Sequence, residues 1–187
     1  MHYLLQRGHN GGAIVRDGQD SDLLLQTLRE AALGHGVVLH AYALTPNELR
    51  LLATPESAEG VSRMMQAVGR RYAAAFNRRH GRSGALWDGR FRSALIEPGA
   101  PALAALRQLE GLPAMAPATG DAAPPPDAAD RNSRSHRTGG RRDAALVDPP
   151  AFWHLGNTPF ERHAAYARFL VEELRNQFHW MQFRKFL

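Results

Sequence analysis

Arginine carries the strongest chemical signal in this chain. Arg63, Arg70, Arg71, Arg78, Arg79, Arg82, Arg90 and Arg92 fall within one short window that holds a single acid, Asp88. A planar guanidinium offers a fixed fork of donors that matches phosphate and stacks on bases, so this concentration suits a protein that neutralises nucleic-acid phosphates and releases their counterions. A merely solvated helix face usually mixes both signs of charge. Of the 23 basic residues only Lys185 is a lysine, a bias that genomic base composition also produces. His80, set among Arg78, Arg79 and Arg82, reads as a further phosphate contact. Trp87 and Phe91 interleave with the arginines, and Trp87 suits two roles equally, a platform for an unpaired base or a plug of its loop onto the core.

The remaining chemical menu is short. There is no cysteine, which excludes disulfides, thiolate zinc sites and cysteine nucleophiles. Among the tyrosines, Tyr72 sits in an apolar helical stripe and reads as core. Tyr42 alternates with Val38, His40 and Leu44 in a strand and reads as packed or hydrogen-bonded. Tyr3 lies near the start of the chain and Tyr166 far beyond the arginine window. A lone strand histidine such as His40 is more often hydrogen-bonded structure than a ligand.

These residues need a scaffold, and 187 residues with 44% hydrophobic content and a net charge of +5 provide one globular domain with an appendage. No apolar run approaches the ~20 residues that span a bilayer, and the first residues lack a secretory leader. The expectation is a cytoplasmic protein with no membrane partner and no small-molecule substrate.

Residues 1–16 read as a hairpin, with Ala13-Ile14-Val15 as its second strand. Asp20 and Ser21 read as the cap of a helix whose stripe is Leu24, Leu25, Leu28, Ala31 and Ala32, stopped by Gly34 and Gly36. Residues 37–44 and 48–53 flank the turn Thr45-Pro46-Asn47 as a central hairpin. A helix over 57–80 puts Val61, Met64, Met65, Val68, Tyr72, Ala75 and Phe76 on one side and Arg63 and Arg70 on the other. A Gly-rich loop, a strand near 92–96 and a helix opened by Pro101 follow. The order β(β)αββαβα predicts an α+β fold, a ferredoxin-like antiparallel sheet with helices packed on it, plus a C-terminal helical extension. The division is a domain over 1–112, an Ala/Pro-rich linker over 113–130, and a basic segment with an amphipathic helix over 131–187. Thr158-Pro159-Phe160-Glu161 announces that last helix by cap, first-turn proline and capping-box glutamate, with a predicted stripe Phe160, Ala164, Ala167, Val171, Leu174, Phe178 that must cover its own domain or a second protomer.

Several segments resemble the REP-associated tyrosine transposases, a group of bacterial single-tyrosine HUH transposases. They are His40-Ala41-Tyr42-Ala43-Leu44-Thr45-Pro46-Asn47, Gly60-Val61-Ser62-Arg63-Met64-Met65-Gln66, Gly69-Arg70-Arg71-Tyr72, Phe76-Asn77-Arg78-Arg79-His80-Gly81-Arg82-Ser83-Gly84, Leu86-Trp87-Asp88-Gly89-Arg90-Phe91-Arg92 and Leu155-Gly156-Asn157-Thr158-Pro159-Phe160-Glu161-Arg162. The resemblance implies a ferredoxin-like nuclease that dimerises and cuts hairpin-forming single-stranded DNA. It further implies a His-x-His pair, on the strand after the Pro-Asn turn, holding Mg²⁺ or Mn²⁺, and a tyrosine on a later helix that becomes linked to the 5′ phosphate. Residues i and i+2 of a strand stand on one face about 6.5 to 7 Å apart, so two imidazoles so placed reach one cation.

At each of these chemical positions the chain departs from the family. Glu48-Leu49-Arg50 stands where the histidine pair is expected, and Arg50, on the same face as Glu48, is placed to pair with the carboxylate and repel a metal. Arg107-Gln108-Leu109-Glu110 stands where relatives read approximately Arg-Tyr-Ile-Glu, which puts Gln108 at the nucleophile position. An amide cannot form the phospho-linkage. The combined expectation is a homodimeric DNA-binding protein for structured single-stranded, REP-like hairpin DNA that has no catalytic residue, metal or other cofactor. Its DNA contacts are Arg63, Arg70, Arg71, Arg78, Arg79, His80, Arg82, Trp87, Arg90 and Arg92. The alternatives are an active transposase with a displaced metal site and another tyrosine, and a decayed element without selected function.

Overall fold

The computed structural model describes residues 1–111 and 131–172. Its elements are β1 (His2–Arg7), α1 (Gly18–Gly34), β2 (Val37–Leu44), β3 (Glu48–Pro55), α2 (Gly60–Arg79), β4 (Arg92–Leu95), α3 (Ala100–Gly111), the short helices α4 (Arg134–Arg137) and α5 (Pro150–Trp153), and α6 (Pro159–Glu172). The sheet order is β2-β3-β1-β4 with every neighbouring pair antiparallel. That order, with α1 linking β1 to β2 and α2 linking β3 to β4, is the ferredoxin-like α+β arrangement predicted.

Both faces of the sheet are covered. Leu4, Tyr42, Leu44, Leu49 and Leu51 pack beneath α1 and α2, while Tyr3, Ala41, Ala43 and Leu52 pack beneath α3, α5 and α6. The strands therefore read as near-continuous apolar runs. The β2–β3 register slips by one residue between Leu39 and Ala41, which makes His40 the extra residue of a bulge. Because a one-residue slip exchanges the faces, Leu39 and Tyr42 end up in the same core although they are three apart. The His40 ring spans the bulge, with Nδ1 2.7 Å from the Val147 carbonyl and Nε2 2.8 Å from Thr54 Oγ1.

Several details differ from the sequence reading. Ile14 and Val15 are buried without forming a strand, because their amides donate to the Pro46 carbonyl rather than to a ladder. α1 begins at Gly18, capped by Asp17, whose side chain accepts from the Asp20 amide. Asp20 lies inside the helix and is buried. In α6 the predicted capping box forms between Thr158 and Glu161, but the predicted stripe is the wrong side of the helix. Phe160 is 82% and Val171 58% exposed, and the buried line is Arg162, Tyr166 and Leu170. The phase is set by the Tyr166 hydroxyl, which donates to Glu110, and by Phe169, over which Arg107 lies at 4.6 Å. Leu174 and Phe178, like the linker over 113–130, lie outside the described residues.

Residues 131–172 complete the second face. Asn132 pairs with Ala43 at the β2 edge, and Leu146 pairs with Leu39. Arg131 and Arg137 of the basic stretch are buried rather than displayed. Glu110 accepts from Ser133, Arg137 and Tyr166 at once, and Arg137 also donates to the His40 carbonyl.

Candidate nucleic-acid interface and the Glu48 charge cluster

Glu48, Arg50 and Leu52 alternate with Leu49 and Leu51, and so project on the face that carries α3. Register places Arg7 opposite Glu48 and Leu5 opposite both Arg50 and Arg92. Arg50 approaches Glu48 Oε2 with Nη2 at 2.5 Å and Nε at 2.9 Å, while Arg7 Nε reaches Oε1 at 2.8 Å. Both carboxylate oxygens are thus held by cations. Burial pushes the Glu48 carboxyl up, and the two guanidinium groups, Arg50 foremost, outweigh it and hold the carboxyl below its ordinary value. A divalent metal does not fit here, because its one carboxylate ligand is already neutralised by two fixed positive charges. Sequence reasoning found the Glu48–Arg50 pair and missed Arg7, which only strand register brings alongside.

On α3, Gln108 is half-buried, between the buried residues Leu106 and Leu109. The four tyrosines are all within the described residues, and each is at most 7% exposed. The Tyr72 hydroxyl donates to the Ile14 carbonyl at 2.6 Å, Tyr166 to Glu110 at 2.7 Å and Tyr42 to Asp143 at 3.3 Å. Burial first, then the nearby Asp143 charge, pushes the Tyr42 phenol up to about 12. Burial likewise raises Tyr3, against the opposing charge of Arg50, and it raises Tyr72 and Tyr166 as well.

The arginine window divides when folded. Acids outside the window claim part of it: Arg63 bonds Glu59, Arg71 bonds Glu30, and Arg79 bonds Asp17 at 2.7 Å and the buried Asp20 at 2.5 Å. His80 also reaches Asp20, at 2.9 Å. These contacts pin the N-terminus of α1 to the C-terminus of α2, where acid and base complement the helix dipoles. Gly81, at φ +59°, then turns the chain out of α2 in the left-handed conformation. Trp87 is held as a plug: its indole donates to the Gly69 carbonyl at 3.0 Å and its ring centroid lies 5.9 Å from that of Tyr72. Arg82 lies 5.6 Å over the Phe76 ring. Arg70, Arg78 and Arg90 remain exposed without an acidic partner among the described residues, and Arg92 is exposed on the edge strand.

Fold and site together define a ferredoxin-like α+β protein with exposed arginines on one helical layer and a charge-clamped sheet face on the other. Among the described residues no helix is long and apolar enough to cross a membrane. No family model and no curated protein matches the chain. Among solved structures, one from Deinococcus radiodurans R1, provisionally described as a transposase, is 23% identical over 57% of this chain and 85% of its own, with a TM-score of 0.44.

Proposed function

We propose that this chain is a transposase-family protein, related to the REP-associated tyrosine transposases, that binds structured single-stranded DNA as a homodimer and no longer cleaves it. The observation that carries this reading is the Glu48 carboxylate clamped between Arg7 and Arg50, on the strand face where the family resemblance calls for a metal pair. Gln108 at the nucleophile position supports it, as does the burial of every tyrosine, since a phenol must reach a phosphodiester to attack it. DNA binding falls to Arg70, Arg78 and Arg90, and less to Arg63, Arg71, Arg79 and Arg92, which have partners within the protein.

The test is incubation of the protein with a labelled hairpin oligonucleotide and Mg²⁺ or Mn²⁺. Salt-dependent binding without a nicked product or a covalent adduct is expected. An adduct mapped to Tyr3, Tyr42, Tyr72 or Tyr166 overturns the reading in favour of an active transposase. No binding at low salt, or unchanged binding by the Arg70, Arg78 and Arg90 triple alanine variant, removes the nucleic-acid function. Light scattering that finds a strict monomer removes the dimer.

A further inference from the structure

Beneath α5 and α6, on the opposite side of the sheet from the exposed arginines of α2, lies a cleft of about 490 Å³ that no part of the proposed function uses. Its walls include Val147, Phe152 and Trp153, with Arg142 and Arg162 at their margins. Trp153 is fixed rather than loose. Its indole nitrogen donates to the Asp148 carbonyl at 3.2 Å, and the Arg162 guanidinium covers one side of the ring at 4.3 Å. Even so, 52% of Trp153 and 54% of Val147 remain open to solvent. An aromatic held in place and left half-exposed is an unusual outcome for a residue that burial rewards with a few kcal/mol.

The charges around the cleft select its occupant. Asp148, the acid in the lining, lies 3.1 Å from Arg137 Nε and 3.5 Å from the His136 ring. Arg162 donates to the carbonyls of Gly156 and Asn157 and bonds no carboxylate among the described residues. Arg142 is exposed and has no acidic partner among the described residues. The exposed Arg142 guanidinium, beside an open indole backed by the buried Arg162, therefore asks for a flat apolar body joined to an anion. An acidic or proline-rich peptide supplies one of these features, and a nucleotide in a single strand supplies both.

We infer that this cleft seats an unpaired base of single-stranded nucleic acid, which stacks on the side of Trp153 away from Arg162 while Arg142 faces the adjoining phosphate. The volume is of the size that holds one nucleotide. This inference rests on the nucleic-acid reading and adds to it a second contact, on the other side of the sheet. A strand that reaches both must leave the duplex state at the cleft, so the site favours hairpin loops and tails over paired stems.

Binding of the full chain to a single-stranded oligonucleotide and to a blunt duplex of equal length, followed by fluorescence anisotropy, tests it. Trp153→Ala should weaken single-strand binding about tenfold, the scale of one base stacked on an aromatic side chain, and leave duplex binding unchanged. Trp153→Phe should recover most of the loss, and both variants should melt close to the parent protein because the residue is half-exposed. Photocross-linking with a strand carrying 5-iodouracil should map to the peptide around Trp153. If the parent protein binds with normal salt dependence while Trp153→Ala binds equally well and the cross-link maps elsewhere, the cleft is not a base site and the proposed function stands. If the parent protein binds no nucleic acid, both fall together.

Discussion

The two helical layers on the sheet use their arginines in opposite ways. On the α1–α2 side, Arg63 and Arg71 meet acids at the surface, where water screens the pairs, Arg79 bridges the exposed Asp17 and the buried Asp20, and Arg70 and Arg78 meet none among the described residues. On the other side Arg137 is wholly buried against a wholly buried Glu110. An exposed pair contributes little to stability and is available for exchange with a phosphate. A buried pair matters most through the penalty for removing one member, since the other then stays in a low-dielectric site unbalanced. The first arrangement suits recognition, and the second fastens residues 131–172 to the sheet.

That contrast predicts its own largest effect. Glu110→Ala should cost about 3–5 kcal/mol in urea unfolding, because buried Arg137 then keeps only Asp148, 3.1 Å from its Nε, and Ser133 and Tyr166 lose their buried acceptor. Glu110→Leu combined with Arg137→Met should restore most of the stability. Equal losses in the single and double variants would show that the network is needed for its hydrogen bonds to Ser133 and Tyr166 rather than for charge balance. Next in size is Asp20→Ala, at about 2 kcal/mol, since the buried carboxylate takes the Arg16 amide and joins Arg79 and His80. A loss much below this would mean that α1 and α2 are held by their apolar stripe alone.

The same contrast explains what could be read from the chain. The alternation of apolar strand runs with helical stripes was enough for β1, α1, β2, β3 and α2 in order, but it also called a strand at Ala13-Ile14-Val15, where burial without a ladder looks the same in residue types. The bulge at His40 was not legible: a backbone slip leaves no mark on residue types, yet it reverses the alternation that assigned Tyr42 to a face. The α6 stripe failed for a related reason. Its inward face is built from Arg162, Tyr166 and Phe169, and an arginine stem with a hydrogen-bonded tyrosine does not score as apolar. At the site, Glu48 and Arg50 were legible as neighbours on one strand face. The arginine window was legible as a charge density but not as a surface, because Asp17, Asp20, Glu30 and Glu59 lie outside it in sequence and against it in space.

An intermediate case is the sheet face, where the Glu48 cluster is half-buried. Burial raises the Glu48, Asp143 and Asp148 carboxyls, and cationic partners more than reverse the effect, so all three sit below their ordinary values. Carboxyls depressed in the folded state stabilise it fully above the unfolded value, 4.5 for Glu48, and the contribution is lost as pH falls through the folded values. Stability should therefore begin to fall below about pH 6.5, where His40 protonates more readily unfolded than buried in the fold, and fall more steeply below about pH 4.5 as the carboxyls titrate. Arg50→Met should cost about 1 kcal/mol at pH 7 and make the acid limb shallower. A parallel shift of the whole curve would mean that Arg50 contributes by packing and not by its charge on Glu48.

The smallest expected effect discriminates most finely between the two layers. Arg63 and Glu59 form an exposed pair one helical turn apart, so Glu59→Gln should change stability by no more than about 0.5 kcal/mol. On the proposed function its effect on binding has the opposite sign to a damaging mutation. Removing the carboxylate releases a guanidinium on the same helix as Arg70, and affinity for a hairpin should rise at low salt, with the salt dependence steepening by at most about 0.7 for one additional single-strand phosphate contact. Arg63→Ala should then be nearly silent in the parent protein and should cancel the gain in the Glu59→Gln background. If Arg63→Ala instead weakens the parent protein as much as Arg70→Ala does, the surface pair does not withhold its arginine. The division between balanced and available arginines would then have to be drawn by position on α2 rather than by ion pairing.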